Sequence, residues 1–159
     1  MNDNIDKVLR NKAEVYCSAA ERCPADVEKK LIQWGADEEA VASVMQHLFR
    51  ERYLDALRYC RFFVRDKYRF NQWGRMKISQ ALRMKQMSAE DIQAGLEEID
   101  EEEYMEGLKR LLNQKRRSVK ARNEYELNTK LIRYAVGKGF TMSEVLALVK
   151  EVDPDEYSY

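Results

Sequence analysis

The apolar positions of this 159-residue chain fall into one template three times over. The first copy reads Val27, Leu31, Trp34-Gly35-Ala36-Asp37, Val41 and Met45. The second reads Ile78, Leu82, Lys85-Gln86-Met87-Ser88, Ile92 and Leu96, and the third Leu131, Ala135, Lys138-Gly139-Phe140-Thr141, Val145 and Val149. The copies are offset by 51 and then 53 residues. Apolar residues four apart lie one above the other on a helix face, so each copy opens with a helix. Gly35 and Gly139 then stand where a helix ends in a left-handed residue, and Gln86 takes that place in the second copy. Asp37, Ser88 and Thr141 follow as N-caps of a second helix. Glu144 completes a capping box with Thr141, and Asp91 a weaker one with Ser88. The residue before each cap and the residue four after it are both apolar, which is a hydrophobic staple. Each copy therefore predicts helix, tight turn, helix.

A further helix precedes each pair. Its apolar positions read as Val8, Ala13, Tyr16 and Ala20 in the first copy, and Leu57, Cys60, Phe63, Val64 and Tyr68 in the second. In the third they read as Tyr104, Leu108, Leu111 and Leu112. Cys23-Pro24 separates that helix from the pair in the first copy, with proline suited to the first helical turn. Asn71, Trp73 and Gly74 do so in the second; in the third, Lys115 to Tyr125 fits either a continued helix or a loop. The expectation is an all-α chain of three tandem three-helix repeats, at 1–52, 53–100 and 101–153, with a loose acidic tail at 154–159. A unit of about 50 residues buries little alone, so neighbours support one another.

Charge changes the picture. The formal net charge is zero, but the signs come in blocks. Between Arg58 and Lys85 there are nine basic residues against one acid, Asp66. From Glu90 to Glu106 nine acids follow with no base, and from Lys109 to Arg122 seven bases with no acid. A dense basic block binds phosphates through release of counterions. Within the first block Arg65, Lys67, Arg69, Arg75 and Lys77 are read as surface cations facing an anion, and joint charge reversal at Arg69, Arg75 and Lys77 is expected to abolish that contact while leaving helicity unchanged. Lys115, Arg116, Arg117, Lys120 and Arg122 form a second candidate set. Tyr59 and Phe63, at helical spacing, read as core. Phe70 and Trp73 lie in a break among cations, and Trp73 is the stacking candidate for an unpaired base. The acidic block fits a solvated face, an intramolecular partner for the bases, or a docking surface for a basic protein.

Catalytic chemistry has no candidate here. His47 is the single histidine and reads as a partly exposed helix residue. Cys17, Cys23 and Cys60 lack metal-site spacing and read as small packed hydrophobes. Neither phosphate-binding glycine loop nor nucleophile elbow occurs. No signal peptide or membrane span is expected, and the setting is taken as reducing and cytoplasmic.

The second copy also carries a resemblance. Tyr53-Leu54-Asp55, Arg58-Tyr59-Cys60 and Phe63-Val64, followed by Gly74, Lys77-Ile78, Leu82 and Lys85-Gln86-Met87, look like the central signature of the RecX family of recombination regulators. Ala56, Cys60, Ala81 and Gln86 depart from its usual residues. Lys30-Leu31 with Trp34-Gly35 resembles the family's opening repeat, and Lys138-Gly139-Phe140 its closing one, so the likeness covers about residues 5 to 152. The resemblance implies tandem three-helix repeats in an elongated, curved arrangement. It also implies a non-enzymatic, cofactor-free monomer that binds the RecA filament on single-stranded DNA, or duplex DNA itself. Such a protein inhibits the strand exchange, ATP hydrolysis and coprotease activity of RecA. The other reading left open is a helix-turn-helix transcription regulator on duplex DNA, or a scaffold whose blocks pair with each other.

Overall fold

A computed structural model describes residues 3–149; the tail at 154–159 lies outside the described residues. Among the described residues there are nine helices and no strand. They are α1 (Asp3–Ala19), α2 (Pro24–Gln33), α3 (Glu38–Arg50), α4 (Ala56–Phe70), α5 (Arg75–Met84), α6 (Ala89–Glu97), α7 (Glu101–Ser118), α8 (Glu124–Gly137) and α9 (Met142–Val149). The template is thus three helix pairs, α2–α3, α5–α6 and α8–α9, each preceded by a further helix.

The turns are built as the sequence chemistry requires. Gly35 and Gly139 have φ of 95° and 106°, and Gln86 adopts the same left-handed region at 64° without being glycine. The amides of Ala36, Met87 and Phe140 each reach back to the carbonyl of the last template position of the preceding helix, Leu31, Leu82 and Ala135. This satisfies carbonyls that the helix end leaves without partners. Asp37 accepts from the Ala40 amide at 2.8 Å and Ser88 from Asp91 at 3.1 Å. Thr141 accepts from the Glu144 amide while the Glu144 carboxylate takes the Thr141 amide at 2.8 Å, a full capping box. The staple residues Met87, Ile92, Phe140 and Val145 are all buried.

The third break is a loop. Helix α7 ends at Ser118, and Asn123 caps α8 by accepting from the Glu126 amide. The first helix needs a correction. Val8 is 58% exposed, and Ala20 lies beyond α1 and is exposed. The inward stripe is Leu9, Ala13 and Cys17, shifted by one position, with Tyr16 at its margin.

Packing gathers these helices into two units. One takes in residues up to Phe62 together with Leu82–Gly95. Its core holds Leu9, Ala13, Val27, Leu31, Val44, Leu48 and Leu54. His47 is half-buried there and meets the Glu14 carboxylate at 2.7 Å. The Cys23 thiol donates to the Lys85 carbonyl, and burial pushes the Cys60 thiol up to about 11. All three cysteines are free and buried, so they pack as small apolar side chains.

The other unit takes in Phe63–Ala81 and the residues from Leu96 on. Helices α7, α8 and α9 pack on one another around Tyr104, Leu108, Leu111, Leu131, Ala135 and Val145. No helix among the described residues is long and apolar enough to cross a membrane.

Candidate nucleic-acid interface

Two glycines fix the geometry of the second unit. The Gly74 amide donates to the Lys138 carbonyl at 2.8 Å, and the Met76 amide to the Gly139 carbonyl at 3.0 Å. A methyl group on Gly74 would lie 2.3 Å from the Gly139 carbonyl carbon, and one on Gly139 would lie 2.4 Å from the Lys77 Cβ. Only hydrogen at both positions lets the two backbones meet. The start of α5 is thereby clasped to the α8–α9 turn.

That clasp gathers cations. The Lys77 ammonium stands 4.6 Å and the Lys67 ammonium 5.1 Å from the centre of the Trp73 indole. Trp73 is half-buried, and its ring meets Phe63 edge-on at 6.4 Å. Its ring thus holds lysines in place, at about 0.5–1 kcal/mol for each exposed cation–π contact. From the other side of the clasp the Lys138 ammonium donates to the Asn71 carbonyl at 3.0 Å. Burial lowers the pKa of Lys138, and the neighbouring Lys77 charge lowers it further. The acid nearest in sequence, Asp66, stands 3.8 Å from Lys67, while Lys77 and Lys138 have no carboxylate within 4.0 Å among the described residues. Two like charges held together without a counterion are an arrangement that an anion relieves.

The structure separates the other sequence candidates from this cluster. Arg75 is held inside the fold. Its guanidinium lies 4.1 Å over the Tyr104 ring, bonds the Glu144 carboxylate at 2.9 Å and also bonds Glu101. Its amide donates to the Tyr104 hydroxyl. Arg75→Ala leaves two carboxylates without their cation, and the expected loss is about 2–3 kcal/mol in urea unfolding followed by circular dichroism. Arg75 is thus committed to partners within the fold and is not a free surface cation.

Arg69 is exposed, but its guanidinium forks onto both oxygens of Glu103, at 2.8 and 3.3 Å. The acidic run at the start of α7 thus supplies intramolecular partners for Arg69 and Arg75. It also places Glu101, Glu102 and Glu103 at a helix N-terminus, where negative charge is favourable. Arg65 is exposed on α4.

The second candidate set lies at the far end of α7 and, for Lys120 and Arg122, in the loop after it, Lys115 being roughly 18 Å from Glu103 at 1.5 Å per residue. Lys115 covers the Tyr134 ring at 4.4 Å, Arg116 reaches Asn113, and Arg122 pairs with Glu126 at 2.8 Å. Arg117 and Lys120 are exposed. Phe70, at 78%, is among the most exposed large apolar side chains. Among the described residues no group of three or more His, Cys, Asp and Glu gathers to hold a metal.

The same segments are matched by known proteins. Residues 57–96 match the family described as RecX, second three-helix domain, and residues 101–149 match RecX, third three-helix domain. The regulatory protein RecX of Clostridium botulinum (strain Eklund 17B) is 30% identical over 156 residues, covering 91% of this chain and 73% of that protein.

The chain belongs to the RecX family.

The regulatory protein RecX of Lactobacillus johnsonii is 26% identical over 159 residues, covering 95% of this chain. The chain spans 59% of that relative's length. A crystal structure of regulatory protein RecX superposes with a TM-score of 0.79 at 26% identity, covering 91% of this chain and 74% of that one. RecX from Lactobacillus salivarius shares the fold with a TM-score of 0.81 at 19% identity, covering 92% and 95%.

Within this RecX chain, sequence reasoning missed Lys138 as a site residue. It reads as part of the Lys-Gly-Phe turn, and its neighbour Lys77 is 61 positions earlier. The recurrence of a lysine directly before the left-handed residue, at Lys85 and Lys138, is the signal that points to it.

Proposed function

We propose that this chain is a regulator that binds the RecA nucleoprotein filament on single-stranded DNA. In doing so it inhibits strand exchange, ATP hydrolysis and coprotease activity. Family membership supports the regulatory role. The cluster of Lys67, Lys77 and Lys138, in which Asp66 is the one acid and pairs with Lys67, carries the nucleic-acid part of the reading. In this reading the cluster takes the phosphate backbone, because ammonium groups contact phosphates without regard to base sequence. Trp73 positions two of the three lysines, and Arg65 is a further exposed cation on α4. Lys115 and Arg117 at the end of α7, with Lys120 in the loop that follows, give a second point of contact. Arg69 and Arg75 serve the fold, since both are paired within it.

The test is RecA ATP hydrolysis on single-stranded DNA with the protein titrated in. Inhibition that weakens as salt rises is expected. Substoichiometric inhibition means action at filament ends, and stoichiometric inhibition means binding along the groove. Full hydrolysis at a saturating excess overturns the reading. Preference for a particular duplex over the RecA-coated strand would favour a transcription regulator instead.

A further inference from the structure

The unit containing α1 and α2 carries a second aromatic and cationic surface that the lysine cluster does not use. Between these helices lies an open groove of about 550 Å³, floored by Val15, Tyr16, Ala19 and Trp34 and edged by Lys12 and Arg22. Val15 is 71% exposed although it is a large aliphatic residue. It continues a stripe with Ile5 and Val8, which are 56% and 58% exposed on the face of α1 turned from its core. From Ile5 to Ala19 that stripe runs about 21 Å, or four helical turns. An apolar strip of this length fits another helix rather than a small molecule.

The charges at the groove are all of one sign. No carboxylate lies within 4.0 Å of Lys12, Arg22 or Lys30 among the described residues, because the nearby acids are committed elsewhere. Glu14 holds His47, Glu21 holds Arg58, and Asp26 holds Lys85. Arg22 is fixed in place, its Nε donating to the Tyr16 carbonyl and its guanidinium stacked 3.8 Å from the Tyr16 ring centre. Its terminal N–H groups remain for a carboxylate fork.

The ring faces decide between nucleic acid and protein. Trp34 carries Lys12 at 4.7 Å and meets Tyr16 edge-on at 6.0 Å; Tyr16 carries Arg22 and, at 5.8 Å, Lys30. An unpaired base needs an open ring face on which to stack, and these rings are already engaged by cations of the chain itself. Aliphatic side chains with carboxylates beside them fit what remains, which is an apolar floor and a basic edge.

We infer that the α1–α2 groove docks an acidic, amphipathic helical segment of the recombinase, so that protein and DNA are gripped by different parts of the chain. This rests on the filament-binding function proposed above. The test compares Val15→Asp and Arg22→Glu with wild type, at one salt concentration, for binding to DNA-free RecA and to a labelled oligothymidylate. Val15 is exposed and Arg22 half-buried, and an unchanged melting temperature confirms that each variant folds. The expected result is at least tenfold weaker binding to RecA with oligothymidylate binding unchanged. Variants that bind RecA like wild type overturn the groove assignment alone. Parallel loss of oligothymidylate binding overturns it in favour of a nucleic-acid surface. A wild-type protein with no affinity for RecA, free or on DNA, overturns the function and the groove together.

Discussion

Gly74→Val is expected to cost more than about 4 kcal/mol, the scale reached when backbone must be displaced in a packed interior. The new Cβ would sit 2.3 Å from the Gly139 carbonyl carbon and 2.4 Å from the Phe140 nitrogen. Both are backbone atoms, which cannot swing aside as a side-chain tip does. The two hydrogen bonds of the clasp, donated by the Gly74 and Met76 amides, break as the segments part. Urea unfolding by circular dichroism measures the loss. Hydrogen exchange at the Met76 amide shows whether the clasp has opened before the unit melts. Gly35→Ala is the comparison. At φ 95° it is strained, but its Cβ meets nothing within 4 Å, so its cost stays near 1 kcal/mol.

The largest functional effect is expected from removing the lysine cluster. Replacing Lys67, Lys77 and Lys138 by glutamine together forfeits about 1 kcal/mol per screened phosphate contact, so filament binding falls on the order of a hundredfold. The slope of log affinity against log salt shrinks by about 0.7 for each lysine lost on a single strand. Fluorescence anisotropy over a salt series measures both.

Stability should respond differently. The pKa of Lys138 is lowered in the folded chain, by burial first and by Lys77 second. Its protonated form therefore costs the fold stability below that lowered pKa, and the cost fades as pH rises through it. The triple variant is free of that cost at every pH. Against that relief stand the two lost cation–π contacts on Trp73, so the variant should melt close to wild type near neutrality and below it in alkali, where the relief has gone. A variant that loses binding and also melts early near neutrality would mean the lysines serve packing instead.

Most of the fold was legible because its signals are local. A cap, a staple and a left-handed residue act over a few positions, so Asp37, Ser88 and Thr141 could be placed from sequence, and Gln86 too, despite not being glycine. Helix α1 was misread because it carries two apolar stripes, Ile5–Val8–Val15 and Leu9–Ala13–Cys17. Periodicity alone does not say which one faces inward.

The candidate site was legible in part. A dense basic block is visible as composition, and Lys67 and Lys77 follow from it. Which cations are spoken for is not visible, because the partners are remote: Glu144 lies 69 positions from Arg75, and Glu103 lies 34 from Arg69. Gly74 reads as a break between helices, and nothing near it in sequence reveals that another backbone rests against it. Trp73 reads as an exposed aromatic until the lysines over its ring are seen.

Helix α7 has a further consequence. It begins with Glu101, Glu102 and Glu103 and ends with Lys115, Arg116 and Arg117, over 18 residues. Side-chain charge of this order opposes the helix macrodipole at both ends, which stabilises the helix but also makes it a rod with opposite poles. In the field of a polyanion such a rod feels a torque as well as a pull. Glu101 and Glu103 are already paired with Arg75 and Arg69, so the basic pole carries the freer charge and is the one to turn first toward the phosphates of the proposed partner. A chain of zero net charge can thus approach the proposed nucleoprotein partner already facing one way.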